Sequence, residues 1–291
     1  MNTASFLILV SCIPLFVANS FCDKAISLKN ANGYSYNRIK FLAGSLFLFP
    51  VFLAEGPSYA QTGAVICGVS CGILYCISKT IILKGYRKTS VAFMTLCHAA
   101  GMIVPCVVGH FLWSEKLNLF SFCGITLTVA AIAMLKESGA SSPKRMVFSG
   151  ILIGIVVFFS SGGVMIAQKV MGKYFANQSV IAYNFYSFLS AFFILCFFHD
   201  EKTLITPQNS VFLRGETIFY AAESAACLAA ISVAMTDLAK SVPSVLLFPL
   251  YNGIGMILVC VCSAAVFREK MTVKKVVGII LGLCGLCLVN L

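Results

Sequence analysis

The stretch Val266–Leu291 reads VFREKMTVKKVVGIILGLCGLCLVNL. Arg268, Glu269, Lys270, Lys274 and Lys275 stand before sixteen uncharged residues, Val276–Leu291. At 1.5 Å per residue, a helix of that length spans about 24 Å, close to the apolar thickness of a bilayer. A second apolar run, Pro243–Phe267, precedes the charges. The same arrangement occurs earlier, at FLWSEKLNLFSFCGITLTVAAIAML, Phe111–Leu135. Two apolar helices joined by a short charged turn read as a membrane hairpin, and this chain writes that hairpin twice.

Working outward, the chain holds ten such runs. They are Ser5–Phe21, Ile39–Ala54, Gln61–Leu83, Thr89–Trp113, Asn118–Leu135, Val147–Ala167, Val180–Phe198, Thr217–Leu238, Pro243–Phe267 and Val273–Val289. The composition agrees: 59% of the 291 residues are hydrophobic and 11% charged, against about 25% charged in soluble domains. The mean hydropathy is +0.95. These values exclude a soluble enzyme or binding module and predict an all-α integral membrane protein. Ser5–Phe21 has the length of a secretory signal, but MNTA before it lacks the basic residue such a signal uses, so it reads as the first span.

The formal net charge of +11 raises the question of nucleic acid. The basic residues fall in short clusters between apolar runs, with no stripe of interleaved aromatics, so no nucleic-acid partner is expected. Assigned to alternate sides, the loops carry seventeen Lys and Arg on one side and four on the other. The positive-inside rule then predicts cytoplasmic odd-numbered loops and both termini outside a plasma (inner) membrane. Most of the fourteen cysteines lie within apolar runs and read as small packing residues.

At an offset of 154, Thr89–Lys136 and Pro243–Asn290 share thirteen of 48 residues, including Gly101-Met102-Ile103 with Gly255-Met256-Ile257 and Glu115-Lys116 with Glu269-Lys270. Lys24 and Lys169 end matched earlier spans. This predicts two five-helix repeats, 1–137 and 147–291, joined by a polar linker at 138–146. Five is odd, so the second repeat enters from the opposite side. Inverted repeats are the architecture of alternating-access carriers.

Ten spans, the repeat, the aromatic-x-Glu turns Trp113-Ser114-Glu115 and Phe267-Arg268-Glu269, and a glycine-rich last helix resemble the drug/metabolite transporter superfamily, EamA type. The resemblance covers nearly the whole chain. It implies a secondary transporter, expected to export small metabolites such as amino acids. It also implies a central cavity built by the first, third, fourth, sixth, eighth and ninth spans. Gly101, Pro105, Pro249, Asn252 and Gly253 fit the Pro, Gly and polar residues common midway along its fourth and ninth spans. An uptake carrier or exchanger is the alternative within transport. A non-transporting scaffold is the alternative outside it.

Polar residues within spans are costly and are candidates for function. Glu223 in AAESAACLAA is the sharpest, as a proton carrier or a partner for a cationic substrate; its alternative is an interfacial position or a local bond. His98 and its repeat mate Asn252 are candidates for substrate hydrogen bonding or, at His98, proton sensing. Their alternative is an interhelical bond. Lys79, with Tyr75 one turn before it, meets a substrate carboxylate or snorkels to the interface. Tyr251 is a candidate for cavity lining. Lys24, Lys169, Glu115 and Glu269 are gate contacts or interface anchors. Tyr183, Asn184 and Tyr186 read as packing and belt residues.

Ala64, Gly68 and Gly72, and Ala222, Ala226, Ala230 and Ala234, form ridges of small residues for close helix approach. Ser160-Ser161-Gly162-Gly163 reads as a helix irregularity, and Gly278, Gly282 and Gly285 as packing within the chain or a homodimer contact. There is no Walker motif to couple ATP and no HExxH or paired carboxylates. No catalytic residue, cofactor or metal is expected. The expected partners are a small-molecule substrate, the lipid bilayer and coupled protons.

Overall fold

The computed structural model describes residues 3–28, 33–56, 62–89, 91–114, short pieces of 119–131, 144–197, 215–266 and 272–288. Among them the regular structure is helical: α1 (Thr3–Leu28), α2 (Gly33–Glu55), α3 (Thr62–Lys88), α4 (Val91–Ala100), α5 (Ile103–Trp113), α6 (Lys144–Tyr174), α7 (Val180–Phe197), α8 (Gly215–Ser241), α9 (Ser244–Val266) and α10 (Val273–Leu288). Seven spans are long and apolar enough to cross a membrane, α4 and α5 counting as one; α9 and α10 contain shorter apolar segments. The expected fifth span, most of the linker, Glu115 and Glu269 lie outside the described residues apart from short helical pieces.

The helices overrun the apolar runs. The second span begins at Gly33 rather than Ile39, and the sixth begins at Lys144, inside the expected linker, and continues to Tyr174. Polar residues belong to these helices because they point inward. The buried face of α2 carries Tyr36, Asn37, Lys40, Phe41, Gly44, Ser45 and Leu48. Leu46 and Phe47 on its outer face are 59% and 50% exposed. Polar groups inside and apolar groups outside suit a chain dissolved in lipid.

The chain divides into two compact units, each drawn from both halves of the sequence. The first joins Asn2–Lys84 with Ala167–Ser241; the second joins Gly85–Ile166 with Val242–Leu291. In the first, α1 packs on α8, and α2 packs on α7 and α8. Ile26, Tyr36, Leu83 and Ala221 form one core cluster there. The expected ridge on α3 packs closely: a Cβ on Gly68 would sit 2.8 Å from the Tyr183 carbonyl oxygen of α7. The alanine ridge on α8 is different. Ala226 and Ala230 are exposed, and α8 packs through Ala221, Ser224, Ala225, Leu228, Ser232 and Met235.

In the second unit, α9 packs on α4, α5 and α10. The helix irregularity falls in the fourth span and not at Ser160–Gly163, where α6 runs unbroken. Pro105 has no N–H to donate to the Gly101 carbonyl, and its ring crowds that carbonyl. The chain answers with tighter bonds: Met102 N–H to Ala99 O at 3.1 Å and Val104 N–H to Gly101 O at 3.1 Å. The small residues of α6 accommodate this break. A Cβ on Gly162 would lie 2.6 Å from Gly101 O. The matched triplet Gly255-Met256-Ile257 lies inside continuous α9, because Pro249 falls nearer that helix's start. Gly278, Gly282 and Gly285 are buried, and a Cβ on Gly282 would meet Leu96 of α4 at 3.1 Å.

Candidate functional site

All the buried charge among the described residues lies in the first unit. Lys24, Lys40, Lys79 and Lys169 are 5%, 1%, 6% and 6% exposed, and Asp23 is 3% exposed. The second unit buries polar groups but no described charged one.

The centre is an ion pair joining α1 to α2. Lys40 Nζ lies 2.8 Å from Asp23 Oδ1 and donates to it. It also donates to Asn19 Oδ1 at 2.8 Å. Tyr36 donates its hydroxyl to Asp23 Oδ1 at 2.9 Å. Ser224 of α8 reaches Asn19 Oδ1 at 2.8 Å and Asp23 Oδ1 at 3.3 Å. The helical period makes this arrangement: Asn19 and Asp23 stand one turn apart on α1, as Tyr36 and Lys40 do on α2. Lys40, one of the seventeen basic residues counted on one side and the second residue of the expected span Ile39–Ala54, lies inside α2 with a fully buried side chain. A pair so desolvated is held by geometry and by the bonds around it.

A second network lies farther along α8. Ser232 donates to Asn184 Oδ1 of α7. Its single proton is thereby used, so the Tyr75 hydroxyl of α3, 2.9 Å from Ser232 Oγ, is the donor of that bond. Gln168 Nε2 of α6 approaches the same oxygen at 3.5 Å. Ser224 and Ser232 are eight residues apart, about 12 Å along one helix. Tyr75 is steadied by Phe41 and Phe188, whose ring centroids lie 6.2 and 5.8 Å away. Tyr183, Asn184 and Ser187 are fully buried, so Asn184 joins the interior network instead of a belt.

Lys79 follows Tyr75 by one turn. The charges of Lys40 and Asp23 act on it, and the neighbouring Thr80 accepts from Asn37 Nδ2 at 3.4 Å. Lys24 and Lys169 are likewise inside the unit. Glu223 is exposed on α8, bonded to Cys22. Its neighbour Ser224 makes the contact with the ion pair.

His98, Tyr251 and Asn252 belong to the second unit. His98 is partly buried on α4, and its carbonyl accepts from Ser161 at 3.2 Å. Tyr251 is 7% exposed and Asn252 fully buried. Asn252 donates to the Phe248 carbonyl of its own helix at 2.8 Å, and its Oδ1 has no partner among the described residues. The structure therefore does not join Asn252 to His98 by a side-chain bond.

A groove of about 590 Å³ also opens in the first unit, along α7 and α8. Its lining includes Glu55, which accepts from Ser179, and Asp237, paired with Lys240 at 3.2 Å.

Comparison with known proteins agrees with this architecture. A curated relative, the uncharacterized transporter YxxF of Bacillus subtilis (strain 168), is 23% identical over 122 residues, 40% of this chain. The match spans 39% of that relative's length. One solved crystal structure superimposes with a TM-score of 0.65 at 15% identity, over 99% of this chain and 96% of the other, a likeness of fold. The description EamA-like transporter family matches residues 2–136 and again residues 148–291. The chain belongs to the EamA-like transporter family.

Proposed function

We propose that this membrane transporter is a secondary-active exporter of small metabolites, working by alternating access in a plasma (inner) membrane. The observation that carries the reading is the Asp23–Lys40 pair and its bonds to α8, buried among apolar helices. Ionisable groups inside a membrane are expensive and mark substrate or ion pathways. Two inverted repeats, 1–137 and 147–291 with a linker at 138–146, rock about a site near the midplane. Seventeen basic residues less Lys24, Lys40 and Lys79 leave fourteen on one side, and four less Lys169 leave three on the other. That bias supports termini outside.

Glu223 is the proposed proton carrier. It is exposed, touches Cys22 and directly precedes Ser224, which bonds to the pair. Its charge acts on Cys22, the residue before Asp23 on α1.

The test is reconstitution into proteoliposomes loaded with amino acids and small metabolites, with and without an imposed pH gradient. Mass spectrometry reads what moves. Selective movement that follows the gradient supports the reading. Gradient-independent movement points to exchange and removes Glu223 from the cycle. No movement by folded protein favours a scaffold.

A further inference from the structure

The first unit buries four lysines and one aspartate among its described residues. Asp23 is the only described carboxylate sealed with them, and its bonds to Lys40, Tyr36 and Ser224 all use Oδ1. Lys79 is 6% exposed. It has no hydrogen bond or ion pair to any described residue, although Lys24 and Lys169 each have interactions of their own. A long side chain at the end of a span ordinarily carries its ammonium out to water. This one stays inside, within the field of Lys40 and Asp23.

The groups around it are also incompletely paired. Asn37 donates to Thr80, next to Lys79, yet its own Oδ1 has no partner. Asn37 Oδ1 is sealed, whereas Lys79 keeps 6% of its surface exposed. A buried ammonium of this kind calls for an anion. The protein supplies no described carboxylate for it.

We infer that the site takes an oxyanion, the carboxylate or phosphate of a small metabolite, with Lys79 as its direct partner and the Asp23–Lys40 pair holding the adjacent wall. This rests on the transporter reading and gives it a substrate class. The Asp23–Lys40 pair keeps Lys40 neutralised, whereas Lys79 has no carboxylate partner among the described residues. An arriving oxyanion accepts hydrogen bonds from the ammonium and compensates its charge. A neutral sugar leaves the charge unpaired, and an amine adds repulsion.

The experiment uses full-length protein in proteoliposomes with an equimolar pool of lactate, succinate, glycerol 3-phosphate, glucose 6-phosphate, glucose, glycerol, putrescine and choline. Wild type is compared with Lys79→Gln and Lys79→Arg at subsaturating concentrations. Selective movement of the anions is expected, with carboxylates and phosphates telling the two oxyanion sources apart. Lys79→Gln lowers that movement about tenfold or more, the scale of a lost charged hydrogen bond. Lys79→Arg, which keeps the charge, retains it within about threefold. Selection of sugars or amines overturns the inference and leaves the transporter reading standing, as does undiminished anion movement by Lys79→Gln. If Lys79→Gln does not fold, the charge selectivity of the wild type decides. Movement of nothing by folded wild type overturns both readings.

Discussion

Replacing Asp23 by Asn removes the carboxylate from a lysine whose side chain has no solvent exposure. The lost bonds are short: 2.8 Å from Lys40 and 2.9 Å from Tyr36, with Ser224 at 3.3 Å. Breaking a buried pair by removing one member costs about 3–5 kcal/mol, because the other charge is left uncompensated. Asn19 still accepts from Lys40 at 2.8 Å, so the lower part of that range, about 3 kcal/mol, is expected. Lys40→Met costs a similar amount, since it leaves Asp23 buried with two hydroxyl donors. The double variant Asp23→Asn/Lys40→Met leaves no buried charge at this place. It should regain most of the loss and finish within about 1 kcal/mol of wild type. The pairwise coupling is then several kcal/mol, far above the few tenths expected of independent sites. Denaturant unfolding of the purified protein, with all four species in one detergent, measures it. Additive losses in the double variant, or single losses below about 1 kcal/mol, would refute the argument that the pair is a desolvated unit.

Three further outcomes follow from the geometry. Gly72→Ala should destabilise by about 1–3 kcal/mol in the same unfolding assay, since its Cβ would sit 2.5 Å from the Ser187 carbonyl oxygen of α7. Ser114→Gly should stabilise by about 1 kcal/mol, because Ser114 caps α5 in the left-handed region at φ 54°; an unchanged melting temperature would contradict this. Glu223→Gln should leave the melting temperature within about 2 °C, because the side chain is exposed. It should also abolish the dependence of transport on the pH gradient, and full gradient-driven transport by this variant would remove Glu223 from the coupling step.

Hydropathy made the spans legible, because each helix must present apolar groups to lipid over a fixed thickness. It located Val180–Phe197 and Val273–Leu288 to within a residue or so. It misplaced the start of α2 because Tyr36 and Asn37 look like a loop until the inward face they share with Lys40 is known. The glycine ridge of α3 was readable, since small residues spaced by four mark a contact. The alanines of α8 were ambiguous: that helix has small residues on more than one face, and only packing chooses between them. The break at Gly101 follows from Pro105, four residues on, a rule that the sequence reading did not apply. Glu223 attracted notice because it is isolated in an apolar run. Asp23, beside Lys24 at a span's end, reads equally as a gate contact or an interface anchor, and Lys40 reads as one of the charges flanking a loop. Their spacing from Asn19 and Tyr36, one helical turn in each case, was the signal that could have revealed them.

The most direct measurement of the central claim, that the buried network of the first unit is the working site, is substrate flux through the Asp23→Asn/Lys40→Met protein in proteoliposomes. Its retained stability separates function from folding. The account predicts flux reduced at least about tenfold with the melting temperature preserved. Wild-type flux from that variant would contradict it and reduce the pair to a structural tie between α1 and α2.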